Sequence, residues 1–122
     1  MIQLESVLKS QDYTGVKTGT VIHIYKGSRR TVPGRVNDLI LVASKRIDFR
    51  ILKKRKTTCA IITKTKKNQK RCNGHYLKFS YTGFISLFDK ETFKEQKMRG
   101  LIANELRFNK ITGILTSAKR LI

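Results

Sequence analysis

The sequence predicts a mainly β protein, a small barrel or sandwich, and two observations support that prediction. Short segments alternate between apolar and polar residues with the period of two that is typical of strands. Turn signals such as Gly27-Ser28 and Asn73-Gly74 separate these segments at close spacing. A length of 122 residues fits a single domain, 1–122, with a modest hydrophobic core.

The strands are predicted one after another from their alternation. In the stretch TGTVIHIYKGS, Val21, His23 and Tyr25 face one side, and Ile22 and Ile24 face the other. A second strand is predicted in RVNDLILVAS, a third in RIDFRIL and a last one in GFISLFD. Between the last two, TTCAIITKTKK and HYLKFSY are predicted to form the arms of a hairpin with a two-residue turn at Asn73-Gly74.

The last third of the chain changes character. A helix is predicted from Thr92 to Asn109, because Ile102 and Leu106 are spaced four residues apart. The tail ITGILTSAKRLI predicts a final strand and a short helical turn near Ser117. We therefore expect a helical part at about 92–122.

The charge balance is extreme. The chain has 27 basic and 8 acidic residues, a net charge of +19, and no carboxylate lies among the forty residues from Phe49 to Phe88, which include eleven cations. Like charges repel in the compact state, so such a segment indicates a polyanionic partner. Phosphate fits best, because each cation that displaces condensed counterions strengthens binding to nucleic acid.

Other classes of protein are disfavoured. No apolar run approaches the length of a membrane-spanning helix, and the start, MIQLESVLKS, lacks the pattern of a signal peptide. We expect Cys59 and Cys72 to be free thiols that pack against the protein, because a disulfide framework needs more cysteines.

Three alternatives stay open at this stage. A small basic RNase would use His23 and His75, the two histidines, as acid and base, with Lys78 on the phosphate. A zinc site could combine these histidines with Cys59 and Cys72, but paired CxxC knuckles are lacking. A DNA-binding or RNA-chaperone module acting alone is also compatible with the composition. Because RNP-type aromatic runs and GXXG clamps are missing, recognition of structured RNA by backbone and shape is favoured.

Six motifs occur in an order that resembles a known family. DYTGVK resembles the loop Asp-Asn-Ser/Thr-Gly-Ala-Lys, NDLI resembles Gly-Asp-x-Ile, and AIITKTKK resembles Ala-Val-Val-Val-Arg-Thr-Lys-Lys. KRCNGHYLKF is similar to Arg-Arg-x-Asp-Gly-Ser-Tyr-x-Arg-Phe, GLIANELR to Gly-Pro-Val-Ala-x-Glu-Leu-Arg, and MIQLES to the family's start. Over nearly its whole length the chain thus resembles the universal large-subunit ribosomal protein of the fourteenth family. It departs from the pattern at Leu101, where the family has proline, at Arg55, where it has glycine, and in KETFKEQKM.

The resemblance implies a five-stranded β-barrel with a protruding basic hairpin and short C-terminal helices. It also implies a non-enzymatic protein without cofactor or metal, not a homo-oligomer, that binds large-subunit rRNA. Further implied partners are small-subunit rRNA at an intersubunit bridge, neighbouring ribosomal proteins and the ribosome silencing factor. By motif matching, the residues expected to meet RNA phosphates are Lys17, Arg29, Arg30, Lys53, Lys54, Lys64, Lys66, Lys67, Lys70, Arg71 and Lys78. For Glu105 we expect a structural role.

The compartment is predicted from composition. The chain has 17 Lys and 13 Ile but 4 Ala and 1 Pro, a skew that follows AT-rich codons. We expect a mitochondrial ribosome, with an organelle-encoded copy of the protein; a plastid or the bacterial cytoplasm is the alternative.

Overall fold

The computed structural model describes residues 2–26, 33–51, 56–87, 98–108, 118 and 120–122. Within these ranges lie nine strands and one 3₁₀ helix, Asn104–Phe108. The strands are β1 (Val7–Ser10), β2 (Val16–Ile24), β3 (Leu39–Ile47), β4 (Thr57–Lys64), β5 (Gln69–Lys70), β6 (Tyr76–Leu77), β7 (Gly83–Ser86), β8 (Leu101–Ile102) and β9 (Arg120–Leu121).

Five strands close into a barrel in the order β1-β2-β3-β4-β7, which confirms the predicted fold class. Neighbours are antiparallel except at the closing seam, where β1 and β7 run parallel with Lys9 opposite Gly83. Closure removes the exposed strand edges that would otherwise invite aggregation. Two-stranded sheets β5-β6 and β8-β9 are attached to this barrel.

The barrel interior is filled by the inward-facing apolar residues of its strands. Ile40, Ile61, Ile62, Phe84 and Ile85 are fully buried. Successive strand residues point to opposite faces, so β4 and β7, which bury adjacent residues, are covered on both faces. At Gly19 a Cβ atom would lie 2.1 Å from the Cγ1 atom of Val42, so only glycine fits between β2 and its neighbour.

The β2 alternation holds only in part. Val21 is buried, but Ile22 and His23 are both exposed, because the pairing of β2 with β3 shifts between Val21 and His23. Such a bulge inserts one extra residue and changes the face that the following side chains occupy.

The predicted RIDFRIL strand is wrong. β3 ends at Ile47, and the chain then turns: the Ile51 amide donates to the Asp48 carbonyl, and the Asp48 carboxylate accepts from the Arg50 amide. Phe49 is exposed, and Ile51 is 59% exposed.

The predicted helix from Thr92 to Asn109 is also wrong where the structure describes it. Ile102 belongs to β8, and Leu106 belongs to the short 3₁₀ helix, although both side chains are buried as their spacing suggested. Segments 88–97 and 109–117, with the turn expected near Ser117, lie outside the described residues.

Candidate nucleic-acid interface

The hairpin is shorter than predicted and is a separate sheet. TTCAIITK forms β4 in the barrel wall, and β5 and β6 are the arms, with Lys70 opposite Tyr76. The Gly74 amide donates to the Arg71 carbonyl, and the Arg71 amide donates to the His75 carbonyl. Gly74 has a φ of 84°. Asn73 does not have a positive φ, because the described residues other than glycine that do are Glu5 and Asn37. A two-residue type I′ turn would need a positive φ at both Asn73 and Gly74. The connection is therefore a three-residue loop, Cys72–Gly74, with a left-handed glycine, instead of a two-residue turn.

Hydrogen bonds at its base hold the hairpin against the barrel. The Phe79 amide donates to the Thr65 carbonyl at 3.1 Å, and the Lys66 amide donates to the Thr82 hydroxyl at 3.2 Å. The Thr65 hydroxyl donates to the Lys67 carbonyl. These bonds fix the backbone that presents the lysines.

Four of the predicted phosphate-binding residues are exposed on this hairpin or at its base: Lys66, Lys67, Lys70 and Lys78. Among the described residues, the ion pairs are Lys26–Asp38 and Arg71–Glu105, and neither includes any of these four. Their charges thus face solvent, and no carboxylate of the described ranges forms an ion pair with them.

Arg71 lies in a different environment from those four. Its Nε atom is 2.8 Å from the Glu105 Oε1 atom, and its Nη2 atom donates to Oε2 at 3.3 Å and to the Ile122 carbonyl. The pair ties the hairpin to the segment that contains the 3₁₀ helix. Glu105 is accordingly a structural residue.

Lys64 is also placed differently, because it is only 4% exposed. Its ammonium lies 3.8 Å from the centroid of the Tyr81 ring and 5.6 Å from that of Phe79. A cation over an aromatic face is stabilised by the ring quadrupole. The structure thus gives Lys64 an intramolecular partner.

The other predicted cations divide into two groups. Lys17 is exposed on β2 and lines a groove beside the barrel. The remaining four lie outside the described residues: Arg29, Arg30, Lys53 and Lys54.

The described carboxylates mostly bond within the protein. Asp12 accepts hydrogen bonds from the Ser10 hydroxyl, the Thr14 amide and hydroxyl, and the Ser86 amide. Asp38 pairs with Lys26 and accepts from the Arg35 amide at 2.6 Å. These two acids therefore organise loops and form no described ion pair with the exposed hairpin cations.

Sequence reasoning missed the groove itself, which has a volume of about 460 Å³. Its lining includes Lys9, Tyr13, Tyr81 and Arg99. The Arg99 guanidinium lies 4.2 Å from the Tyr13 ring centroid, and the Lys9 ammonium lies 5.3 Å from that of Tyr81. One signal was present in the DYTGVK motif, where Tyr13 stands in place of asparagine.

The zinc alternative lacks a site in the part of the chain that the structure describes. No three side chains among the described His, Cys, Asp and Glu residues gather into a group that could hold a metal ion. Both cysteines are free, as predicted; Cys59 packs against the core, but Cys72 is exposed in the hairpin loop and is not a packing residue.

The RNase alternative would require its two histidines to act together. His23 lies on β2 of the barrel, with its ring edge-on to Tyr25 at 4.8 Å, whereas His75 is exposed beside the hairpin loop. His23 thus belongs to the barrel, and His75 belongs to the hairpin connection.

In the described ranges no helix is long and apolar enough to cross a membrane.

Comparison with known families agrees with the fold and the motifs. The family model for ribosomal protein L14p/L23e matches residues 1–122, the whole chain. The chain therefore belongs to the ribosomal protein L14p/L23e family and is a structural protein of the large ribosomal subunit.

Proposed function

We propose that this protein binds large-subunit rRNA through the basic hairpin and the adjoining strand ends, without catalysing a reaction. The single observation that carries the proposal is the set of exposed hairpin lysines that no described carboxylate neutralises. RNA phosphates supply the missing negative charge, and release of their counterions drives binding. The family membership supports a ribosomal RNA as the partner.

The binding residues follow from the exposure of each cation. Lys66, Lys67, Lys70 and Lys78 contact phosphates directly, and Lys17 does so from the barrel wall. Arg71 is not among the direct phosphate contacts in this proposal, because its guanidinium is paired with Glu105. We keep Arg29, Arg30, Lys53 and Lys54 in the proposed interface on their motif positions alone.

The proposal extends to the assembled ribosome. The protein contributes to an intersubunit bridge with small-subunit rRNA, packs against neighbouring ribosomal proteins and receives the ribosome silencing factor. Its ribosome is mitochondrial, with a plastid or a bacterial cytoplasm as the alternative. The residue composition supports the compartment, and the family supports the partners.

Sedimentation of native ribosomal particles on gradients at increasing salt tests the assembly. We expect the protein to stay with the large subunit until strongly dissociating salt is reached. Free migration, or release at moderate salt, would refute an integral ribosomal role.

Binding of the purified protein to large-subunit rRNA fragments tests the interface. Replacing Lys66 and Lys67 by glutamine should reduce the slope of log K against log salt concentration by about 2, about one for each lost phosphate contact. The matched control replaces Lys45 and Arg46, another adjacent pair of exposed cations, which lies in β3. Equal effects of the two double variants would show that binding is not localised to the hairpin.

A further inference from the structure

We propose that the groove beside β1 and β2 holds one unpaired nucleotide of RNA, with its base stacked on Tyr13 and its phosphate at Lys9 and Lys17. The inference rests on the proposed RNA-binding function and adds a second contact of a different kind. The hairpin also exposes an aromatic residue, Tyr76, but the groove brings a tyrosine and several cations together in one concave site.

The size and shape of the groove suit a nucleotide. Its volume of about 460 Å³ lies within the range of about 300–1,000 Å³ that is usual for small-ligand sites. A concave site of this size excludes a double helix, whose bases are already stacked on one another. A base that has left its stack can enter and lie against an aromatic ring.

Tyr13 is the stacking platform. Tyr13 is 46% exposed although the Arg99 guanidinium lies 4.2 Å from its ring centroid, so the guanidinium does not cover the residue completely. Stacking on an aromatic side chain is available to every base, because every base has a π face. Tyr13 stands where the motif of the family has asparagine, so this platform is a feature of this chain.

The charges of the groove match a nucleotide better than they match an acidic peptide. Lys9 and Lys17 supply positive charge for a phosphate, and Asp48 supplies a carboxylate that can accept from the N–H groups of a base edge. Asp12 also lines the groove, but its two carboxylate oxygens already accept four hydrogen bonds within the protein, so it does not bind the base. An acidic peptide could use the cations of the groove, but it has no base to stack on the tyrosine and no N–H edge for Asp48.

The test measures fluorescence anisotropy of a labelled single-stranded uridine hexamer with the full chain and its variants. Tyr13→Leu should weaken binding about tenfold, because one base loses its stack. Tyr13→Phe, which keeps the ring, should bind within about twofold of the unmodified protein. The matched control is Tyr25→Leu, a partly exposed tyrosine outside the groove, and it should not change binding. Circular dichroism verifies that each variant is folded.

Three results would overturn the inference. The first is an equal effect of Tyr13→Leu and Tyr25→Leu. The second is the same dependence on Tyr13 when the probe is an RNA duplex with paired ends. The third is displacement of the hexamer by hexaglutamate with the same dependence on Tyr13, which would indicate an acidic protein partner.

The outcome also separates this inference from the proposed function. If binding depends on Lys66 and Lys67 but not on Tyr13, the hairpin interface stands and the nucleotide site fails. If neither the hexamer nor large-subunit rRNA binds, both fail.

Discussion

Gln11 connects the barrel to the segment before the 3₁₀ helix, and its replacement by leucine is the sharpest test of how that segment is held. The side chain is 0% exposed. Its Nε2 atom donates to the Arg99 carbonyl at 2.8 Å and to the Leu101 carbonyl at 3.0 Å, and its Oε1 atom accepts from the Thr63 hydroxyl. A leucine fills a similar volume but satisfies none of these three groups.

The expected cost follows from what is left unsatisfied. A buried polar group that loses its partner costs about 1–3 kcal/mol. Three such groups, partly offset by relaxation toward water and by the apolar gain of leucine, give a loss of about 3 kcal/mol in the free energy of unfolding. For a chain of this size that loss lowers Tm by about 10 °C.

Urea denaturation monitored by circular dichroism measures the effect in buffer of raised salt. Gln3→Leu is the matched control, since Gln3 is exposed, and it should change the free energy of unfolding by less than about 0.5 kcal/mol. A loss below about 1 kcal/mol for Gln11→Leu would mean that the three groups find other partners, and that Gln11 does not hold the segment. Hydrogen exchange of the Arg99 amide reports on the same segment locally, because this amide donates to the Gln11 carbonyl at 2.6 Å.

Three further substitutions test individual contacts. Glu105→Gln should lower the free energy of unfolding by about 1 kcal/mol by breaking the ion pair with Arg71, yet leave rRNA affinity unreduced in a filter-binding assay; weaker RNA binding would place Glu105 in the interface. At Asn37, whose φ is 77°, the glycine variant should be more stable than the alanine variant by about 1 kcal/mol. Elsewhere alanine is usually the more stable of the two, so an alanine variant with the higher Tm would contradict this backbone argument. Asp12→Asn should cost about 2–3 kcal/mol in urea denaturation, because the NH₂ group that replaces one carboxylate oxygen only donates, so either the Thr14 donors or the Ser86 amide lose their acceptor. A neutral effect would show that the DYTG loop does not need the carboxylate.

Most of the barrel could be predicted from the sequence, because each strand is a short apolar or alternating segment bounded by turn residues. Such segments located β2, β3, β4 and β7 within a few residues, although β4 and β7 bury both faces. The same alternation misled at RIDFRIL, where Asp48 closes a turn by accepting from the Arg50 amide. An aspartate two residues before the amide it accepts from is a turn signal, and it competed with the strand pattern.

The C-terminal segment could not be predicted, because its conformation is set by distant residues. The spacing of Ile102 and Leu106 suits a helix, but Gly100 has a φ of 73°, and the Leu101 carbonyl is bound by Gln11, ninety residues earlier. Local spacing carries no information on such contacts.

The candidate site also has residues that could be predicted from the sequence and residues that could not. Exposed cations on a hairpin follow from a sequence that lacks acids, so Lys66, Lys67, Lys70 and Lys78 could be predicted. The burial of Lys64 could not, because it depends on Tyr81, seventeen residues later, folding over its ammonium. The groove was missed since Tyr13 and Arg99 meet only in the folded chain.

The placement of charge separates stability from binding in this protein. Asp12, Asp38 and Glu105 point to amides, hydroxyls or cations of the same chain, so their loss costs folding energy and leaves the RNA-facing surface in place. The exposed hairpin cations repel one another in the free protein, so their neutralisation should relieve the fold while it weakens RNA binding. The two kinds of substitution therefore move stability and affinity in different directions. If every such substitution lowered stability and RNA affinity together, Asp12, Asp38 and Glu105 would not serve folding alone, and the hairpin cations would not serve RNA binding alone.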